Sequence, residues 1–199
     1  MKILPMAALG LLIVALAVGG CAYQGYNEAM TLDESVKQHW AQVENQLQRR
    51  YDLIPNLVET VKGIAAQEQK IFLGIADARK AYFQAKDSGT VAEKAEAANG
   101  VERALSRLLF LQEKYPELKS NESFLKLQDE LAGTENRLAV ERKRYNESVE
   151  TMNVFVRRFP SNLYAMLAGV KNAEYFKPPE EAKEAPKVDF NTPEPAAKS

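Results

Sequence analysis

The side chains that most often carry chemistry are scarce in this chain. Its 199 residues include one cysteine, Cys21, and one histidine, His39. This inventory excludes a disulfide framework, catalytic triads, the usual histidine-based zinc sites and paired Glu-x-x-His di-iron sites. Glu135 and Glu141 are carboxylates on one predicted helix, but a spacing of six residues places them on different sides of it. We therefore expect no metal, no cofactor and no enzymatic activity.

Arginines and their polar neighbours concentrate in two segments, which we call the polar belt. Its members are Asn45, Arg49, Arg50, Glu135, Asn136, Arg137 and Arg144. Guanidinium groups grip carboxylates or phosphates through paired hydrogen bonds, so the belt could bind a partner or ligand. Alternatively, Asn45 and Arg49 face the third predicted helix, and the belt fixes the register of the two helices. Both interpretations stay open at this point.

Cys21 closes an N-terminal segment with the layout of an export signal. Lys2 supplies a positive charge, residues 3–18 are apolar, and Val18-Gly19-Gly20-Cys21 reads as a lipobox. The cysteine thiol of such a segment takes a diacylglycerol and the new amine a third acyl chain, which together anchor a protein stably. The sequence therefore predicts a signal peptide over residues 1–20 and a lipidated N-terminus and spacer over residues 21–30.

This segment also sets the expected location of the protein. Ala22 is not the aspartate that signals retention, so a likeness to sorted lipoproteins implies the outer membrane of a two-membrane cell. The alternative is an uncleaved single-pass anchor in the inner membrane, because a transmembrane helix needs about 17–25 residues and residues 3–20 just reach that length. Both alternatives place the rest of the chain outside the cytoplasm.

Charge and composition restrict the partners. The chain has 26 basic and 27 acidic residues, which lacks the basic excess typical of nucleic-acid binding. We expect contact with a membrane and with unidentified envelope proteins. Gly63, Gly74, Gly100 and Gly133 lie inside helical patterns, where they would allow close approach of neighbouring helices or of a second protomer in a homo-oligomer.

Apolar residues at steps of three and four predict helices along most of the chain, and no segment alternates with period two. We expect a first helix from an N-cap at Thr31 to about Lys86, kinked at Pro55. The other predicted boundaries are a second helix over about 91–114, a third opening at Asn121, and a short fourth from Ser161 or Asn162 to Leu167 with Gly169 as C-cap.

The loops between these helices are short, which makes neighbouring helices antiparallel. The predicted fold is an all-α, up-and-down bundle of three main helices plus a short fourth, over residues 31–177. Residues 178–199 are rich in Pro, Glu, Lys and Ala and are expected to be a disordered tail.

Three segments, in order along the chain, resemble the LemA family. They are WAQVENQ with QRR, DLIPNLV and VKG in residues 40–63, YPELK with F, LQ and LAGTENR in residues 115–137, and RYN, FPSN and YF in residues 144–176. The resemblance covers about residues 25–176. It implies a helical bundle on the far side of a bacterial membrane, behind an N-terminal hydrophobic segment. It implies no enzyme activity, since the family has no established biochemical function.

The chain departs from the family pattern in its proline-rich tail and in its lipobox, where many relatives use a plain transmembrane helix. Together the residues and the resemblance predict a membrane-tethered structural or protein-interaction module. The alternative is a lipid- or peptide-binding carrier at the membrane surface, with a groove beside Pro55.

Overall fold

A computed structural model describes residues 3–177 of the chain, and within that range it contains helices and loops but no strand. The all-α prediction is therefore confirmed. The helices are α1 Ile3–Lys62, α2 Gln69–Ser88, α3 Val91–Leu109, α4 Leu111–Lys114, α5 Pro116–Lys119, α6 Glu122–Arg157 and α7 Ser161–Ala168. The tail predicted over residues 178–199 lies outside the described residues.

The predicted first helix is wrong at both ends. The helix that contains Thr31 begins at Ile3, and the Thr31 hydroxyl donates to the Asn27 carbonyl, 2.9 Å away, instead of capping a terminus. That helix ends at Lys62, and a turn over residues 63–68 reverses the chain into α2. The apolar spacing suggested one helix because the two arms of this hairpin face the same core. The helix is continuous through Pro55, and the kink there stays a prediction.

The later helices begin and end closer to the residues predicted to cap them. Asn121 caps α6 as predicted, its side chain accepting from the Phe124 N–H at 2.9 Å. Gly169 ends α7 with a φ of 70°, the left-handed conformation that favours glycine at this position. The second helix is shorter than expected, because α3 stops at Leu109 and the one-turn α4 follows Phe110. A capping box of Thr90 and Glu93 opens α3.

The long helices pack side by side around one core. Arg50 of α1 meets Glu135 of α6, and Trp40 meets Tyr145, so these two helices are antiparallel. The ring centroids of Tyr51 on α1 and Tyr82 on α2 lie 4.5 Å apart. The largest fully buried side chains come from α1, α2, α3, α5 and α6: Leu47, Tyr51, Ile54, Leu57, Ile75, Tyr82, Leu105, Leu108, Leu118, Phe124, Leu138 and Tyr145. The bundle therefore has four long helices, where the sequence predicted three.

The segment that follows α7 returns along α6 without helical structure. The Asn153 side-chain amide donates to the Ala173 carbonyl at 3.0 Å, and its oxygen accepts from the Ala173 N–H at 2.8 Å. Asn146, seven residues earlier on the same side of α6, makes the same two hydrogen bonds to the Phe176 backbone, at 3.1 and 2.9 Å. These contacts place the buried Phe176 ring against Trp40, with ring centroids 6.2 Å apart.

One glycine allows close helix approach, and it is not among the four expected. A Cβ added to Gly25 on α1 would overlap the ring of Tyr164 on α7. A Cβ added to Gly74 or Gly133 would meet nothing within 4 Å. Tight packing inside the chain therefore explains Gly25, whereas close approach of neighbouring helices is wrong for Gly74 and Gly133 within the described residues. Close approach of a second protomer at these glycines stays a prediction.

The N-terminal third of α1 projects from the bundle. Gly25 is the first buried residue among those of α1 whose burial is described, and a window of 18 residues in this apolar part has a mean hydropathy of 1.6. By length and composition this part of α1 could cross a membrane, a test that export signals also pass.

Candidate functional site

Arg50 is the centre of a buried ion network that joins three helices. It lies on α1 and is 7% exposed. Its guanidinium contacts Glu102 of α3 at 2.6 Å, the Leu131 carbonyl at 2.9 Å and Glu135 of α6 at 3.0 Å. Because each contact comes from a different position on α3 or α6, this single side chain fixes how α1 sits against both.

Arg142 completes the charge balance of this network. Its guanidinium lies 3.6 Å from Glu135 and 4.6 Å from the centre of the Phe176 ring. Arg50, Arg142, Glu102 and Glu135 thus form two positive and two negative charges, which we call the ion quartet. A balanced set of this kind avoids the large cost of burying an unpaired charge.

Burial shifts the ionisation of the groups in and around the quartet. It raises the pKa of Glu102, and the nearby Arg50 opposes that shift only in part. Burial also lowers the pKa of Arg142. Tyr51 lies beside the quartet with no exposed surface, and burial raises the pKa of its phenol well above the usual value.

The structure divides the polar belt into two members of the ion quartet and an exposed part. Arg50 and Glu135 belong to the ion quartet. The other members, Asn45, Arg49, Asn136, Arg137 and Arg144, are exposed. Arg49 therefore borders the third predicted helix, α6, only at the surface, and Asn45 is exposed. One residue of shift turns the helix by about 100°, so Arg50 makes the buried contact with α6 instead.

Two exposed members of the belt, Arg49 and Arg137, border a groove between α1 and α6. Its volume is about 740 Å³, and its charged lining residues are Arg49, Asp52, Lys126, Asp129, Glu130 and Arg137. Arg144 lies elsewhere on α6 and pairs with Glu141 at 2.9 Å. We call the groove between α1 and α6 the charged groove. It offers charges of both signs at the surface, which suits contact with a polar protein surface.

Sequence reasoning missed Glu102 and Arg142. Glu102 follows Val101 and precedes Leu105 in the buried stripe of α3, a position where a carboxylate requires a partner. Arg142 follows Glu135 by seven residues, which places both on one side of α6. Both signals exist in the sequence, but neither identifies which helix supplies the partner.

A second, mainly apolar groove lies at the far end of α1 from the N-terminus. It has a volume of about 640 Å³, and its lining includes Pro55, Val58, Phe72, Leu73 and Arg79. Leu73 is 63% exposed on its wall. The predicted carrier alternative placed a groove beside Pro55, and this one occupies that position.

The remaining predicted residues lie apart from these grooves. Cys21 is an exposed free thiol on α1, in the part that projects from the bundle. Trp40, in the first family motif, is half-buried against the core beside Tyr145 and donates to Glu44 at 2.8 Å. Among residues 3–177 no group of three or more His, Cys, Asp or Glu side chains is arranged to hold a metal ion.

Comparisons with known proteins agree with the motif analysis. The LemA family profile matches residues 39–190. The magnetosome protein MamQ of Magnetospirillum gryphiswaldense is 29% identical over 174 residues, which is 76% of this chain and 64% of that protein. Two MamQ proteins of Paramagnetospirillum magneticum are 29% identical over 175 residues, with the same coverage. The match thus spans somewhat less than two thirds of the length of these relatives.

Proposed function

Because this chain belongs to the LemA family and one helix joins its apolar N-terminus to its core, we propose that it is a membrane-tethered, non-enzymatic envelope protein acting as a structural or protein-interaction module. The observation that carries the proposal is the continuity of α1. Its first part is apolar enough to cross a membrane, and its second part supplies Val43, Leu47 and Ile54 to the core.

The tether has a proposed chemical form. Acylation of Cys21 fits its exposed position on the projecting part of α1 and the lipobox that precedes it. Labelled palmitate should enter the wild-type protein and not Cys21→Ala. If the wild-type protein takes up no label, the lipid-anchor proposal is wrong, and the single-pass anchor is then the tether of the bundle.

The absence of enzymatic activity is part of the proposal. The charged groups of the ion quartet pair with one another: Arg50 with Glu102 and Glu135, and Arg142 with Glu135. A catalytic acid or base instead needs access to a substrate within hydrogen-bond reach. The quartet lies between helices, so we interpret it as a device that fixes helix register.

The charged groove is the proposed surface for a protein partner. Arg49 of α1 and Arg137 of α6 both line it and are both exposed. Mild cross-linking of membranes that contain the full chain should give a specific adduct, and the double variant Arg49→Ala with Arg137→Ala should lose it. The matched control is Lys119→Ala with Lys143→Ala, which removes two exposed positive charges elsewhere. An adduct that persists in the groove variant and an adduct lost equally in the control would each refute this assignment.

The apolar groove beside Pro55 supports a second candidate, a lipid- or peptide-binding carrier. Its wall carries Phe72 and the exposed Leu73, an aromatic and aliphatic lining of the kind that ligand pockets use. A fluorescent fatty acid should bind the wild type and be lost in Leu73→Asp, while Leu125→Asp, at an exposed leucine outside the groove, should retain it. Equal binding by both variants would dismiss the groove as the carrier site.

A further inference from the structure

The helix α7 closes the end of the bundle from which the apolar part of α1 emerges. Since α6 runs antiparallel to α1, its C-terminus at Arg157 lies at that end. The chain then turns at Phe159 and Pro160 and enters α7, whose Tyr164 ring packs directly on Gly25. The position of α7 relative to the apolar segment is therefore fixed by contact.

This short helix is apolar on both its inner and its outer side. Ala165 is buried against the bundle, while Leu163, Met166 and Leu167 are 44%, 72% and 69% exposed. Phe159, just before the helix, is 76% exposed. We call these four exposed side chains the basal face. A helix that is apolar all round is normally buried, and a clustered exposed apolar surface marks a contact with protein or membrane.

α7 would lie at the surface of the membrane whether α1 spans it or Cys21 is acylated. Residues 3–24 extend about 33 Å as a helix, close to the roughly 30 Å of a bilayer core, so a spanning α1 places Gly25 at the surface. If Cys21 is acylated instead, Gly25 lies only about 6 Å farther along the axis. In both cases α7 lies at the level of the lipid headgroups.

The residues around the basal face have the character of a membrane interface. Arg157 and Arg158 precede it and Lys171 follows it, and all three are exposed. Tyr23 and Tyr26 on α1, close in sequence to Gly25, are 71% and 42% exposed. Basic residues attract anionic lipid headgroups, and tyrosines favour the boundary between water and hydrocarbon.

From this arrangement we propose that the basal face binds the surface of the same membrane that holds the tether. Phe159, Leu163, Met166 and Leu167 enter the boundary between headgroups and acyl chains, and Arg157, Arg158 and Lys171 contact anionic phosphates. The inference rests on the proposed tether. It adds a second attachment point, which holds the bundle in one orientation to the membrane instead of letting it swing on α1.

The test uses the full chain reconstituted in vesicles of phosphatidylcholine and phosphatidylglycerol, with tryptophan as the probe. Met166→Trp places an indole on the basal face, and Val140→Trp places one at an exposed position on α6, away from it. Wild-type protein supplies the background of its single tryptophan, Trp40. Lipids brominated in the upper acyl chain should quench Met166→Trp about twofold more than Val140→Trp, because interfacial helices bury their apolar face about 5–10 Å deep. Replacing phosphatidylglycerol with phosphatidylcholine should reduce that excess quenching.

The outcomes separate this inference from the proposed function. Vesicle flotation reports the tether independently, so protein that does not float refutes the tether itself. Protein that floats, with Met166→Trp quenched no more than Val140→Trp, overturns the basal-face proposal alone. A blue-shifted Met166→Trp emission without bromolipid quenching, lost on dilution of the protein in the vesicles, would show a second copy on this face and would also overturn it.

Discussion

Arg49 and Arg50 are adjacent in sequence and opposite in environment. Arg49 borders the charged groove in solvent, whereas Arg50 is 7% exposed and contacts acidic groups on two other helices. One guanidinium is thus available to a partner, while the other is committed to the fold. Substitutions at the two positions should have different consequences.

Arg50→Ala should destabilise the protein strongly. Removing one member of a buried ion pair leaves its partners uncompensated and costs about 3–5 kcal/mol. Arg49→Ala is the matched control, and a surface substitution of this kind changes stability by about 0.5 kcal/mol or less. Thermal unfolding of the full chain in detergent, followed by circular dichroism, measures both. Equal melting temperatures for the two variants would contradict the division of the belt.

These two arginines show which polar contacts between helices could be predicted from the sequence. The sequence indicated that residues near 49–50 and 135–144 form polar contacts between helices, and Arg50 with Glu135 is one of them. It could not select Arg50 over Arg49, because either fits an amphipathic pattern until the exact rotation of α1 is known. Glu102 was missed because its partner lies 52 residues away in sequence.

Glu102 should make stability depend on pH in an unusual direction. Burial raises its pKa in the folded protein above the unfolded value of about 4.5, so the folded state binds the proton more tightly. The linkage relation then makes this group's contribution fall as pH rises from the unfolded pKa through the folded one. Glu102→Gln removes that titration and keeps an acceptor for Arg50. Its melting temperature relative to wild type should therefore rise as the pH increases from the unfolded value of about 4.5. A difference that is flat with pH, or that falls, would contradict the raised pKa.

At the scale of elements, the main difference from expectation is the hairpin of α1 and α2. Periodicity predicted the helical content of residues 31–88 well, because every turn keeps an apolar side toward the core. It could not locate the reversal at residues 63–68, where both helices continue to face the same side chains. Capping signals were more informative: Asn121 and Gly169 mark their helix ends as predicted, since each satisfies terminal backbone groups locally.

The contact between α1 and α7 depends on a missing side chain at Gly25. Gly25→Ala places a methyl group where the Tyr164 ring lies, so α7 must shift away from α1. Amide hydrogen exchange should accelerate in residues 158–170 and stay unchanged in α3. Gly133→Ala is the control, because its methyl group meets nothing within 4 Å and gains up to about 1 kcal/mol of helix propensity. Adding Tyr164→Ala to Gly25→Ala should restore part of the protection, whereas slow exchange in Gly25→Ala alone would contradict the packing.

At the scale of the whole molecule, one helix links the apolar N-terminal segment to the far end of the bundle. At about 1.5 Å per residue, the 60 residues of α1 extend about 90 Å. The apolar groove beside Pro55 lies at the end far from that segment, and the basal face of α7 lies at the near end. The charged groove lies between them.

We propose that this bundle is held on a membrane and faces the space outside the cytoplasm. The most direct measurement is protease digestion of intact spheroplasts, followed by an alkaline carbonate wash of their membranes. We expect the full chain to stay with the membranes after the wash and added protease to degrade the bundle without lysis. A bundle protected from protease until the cells are lysed, or a chain released by carbonate, would contradict it.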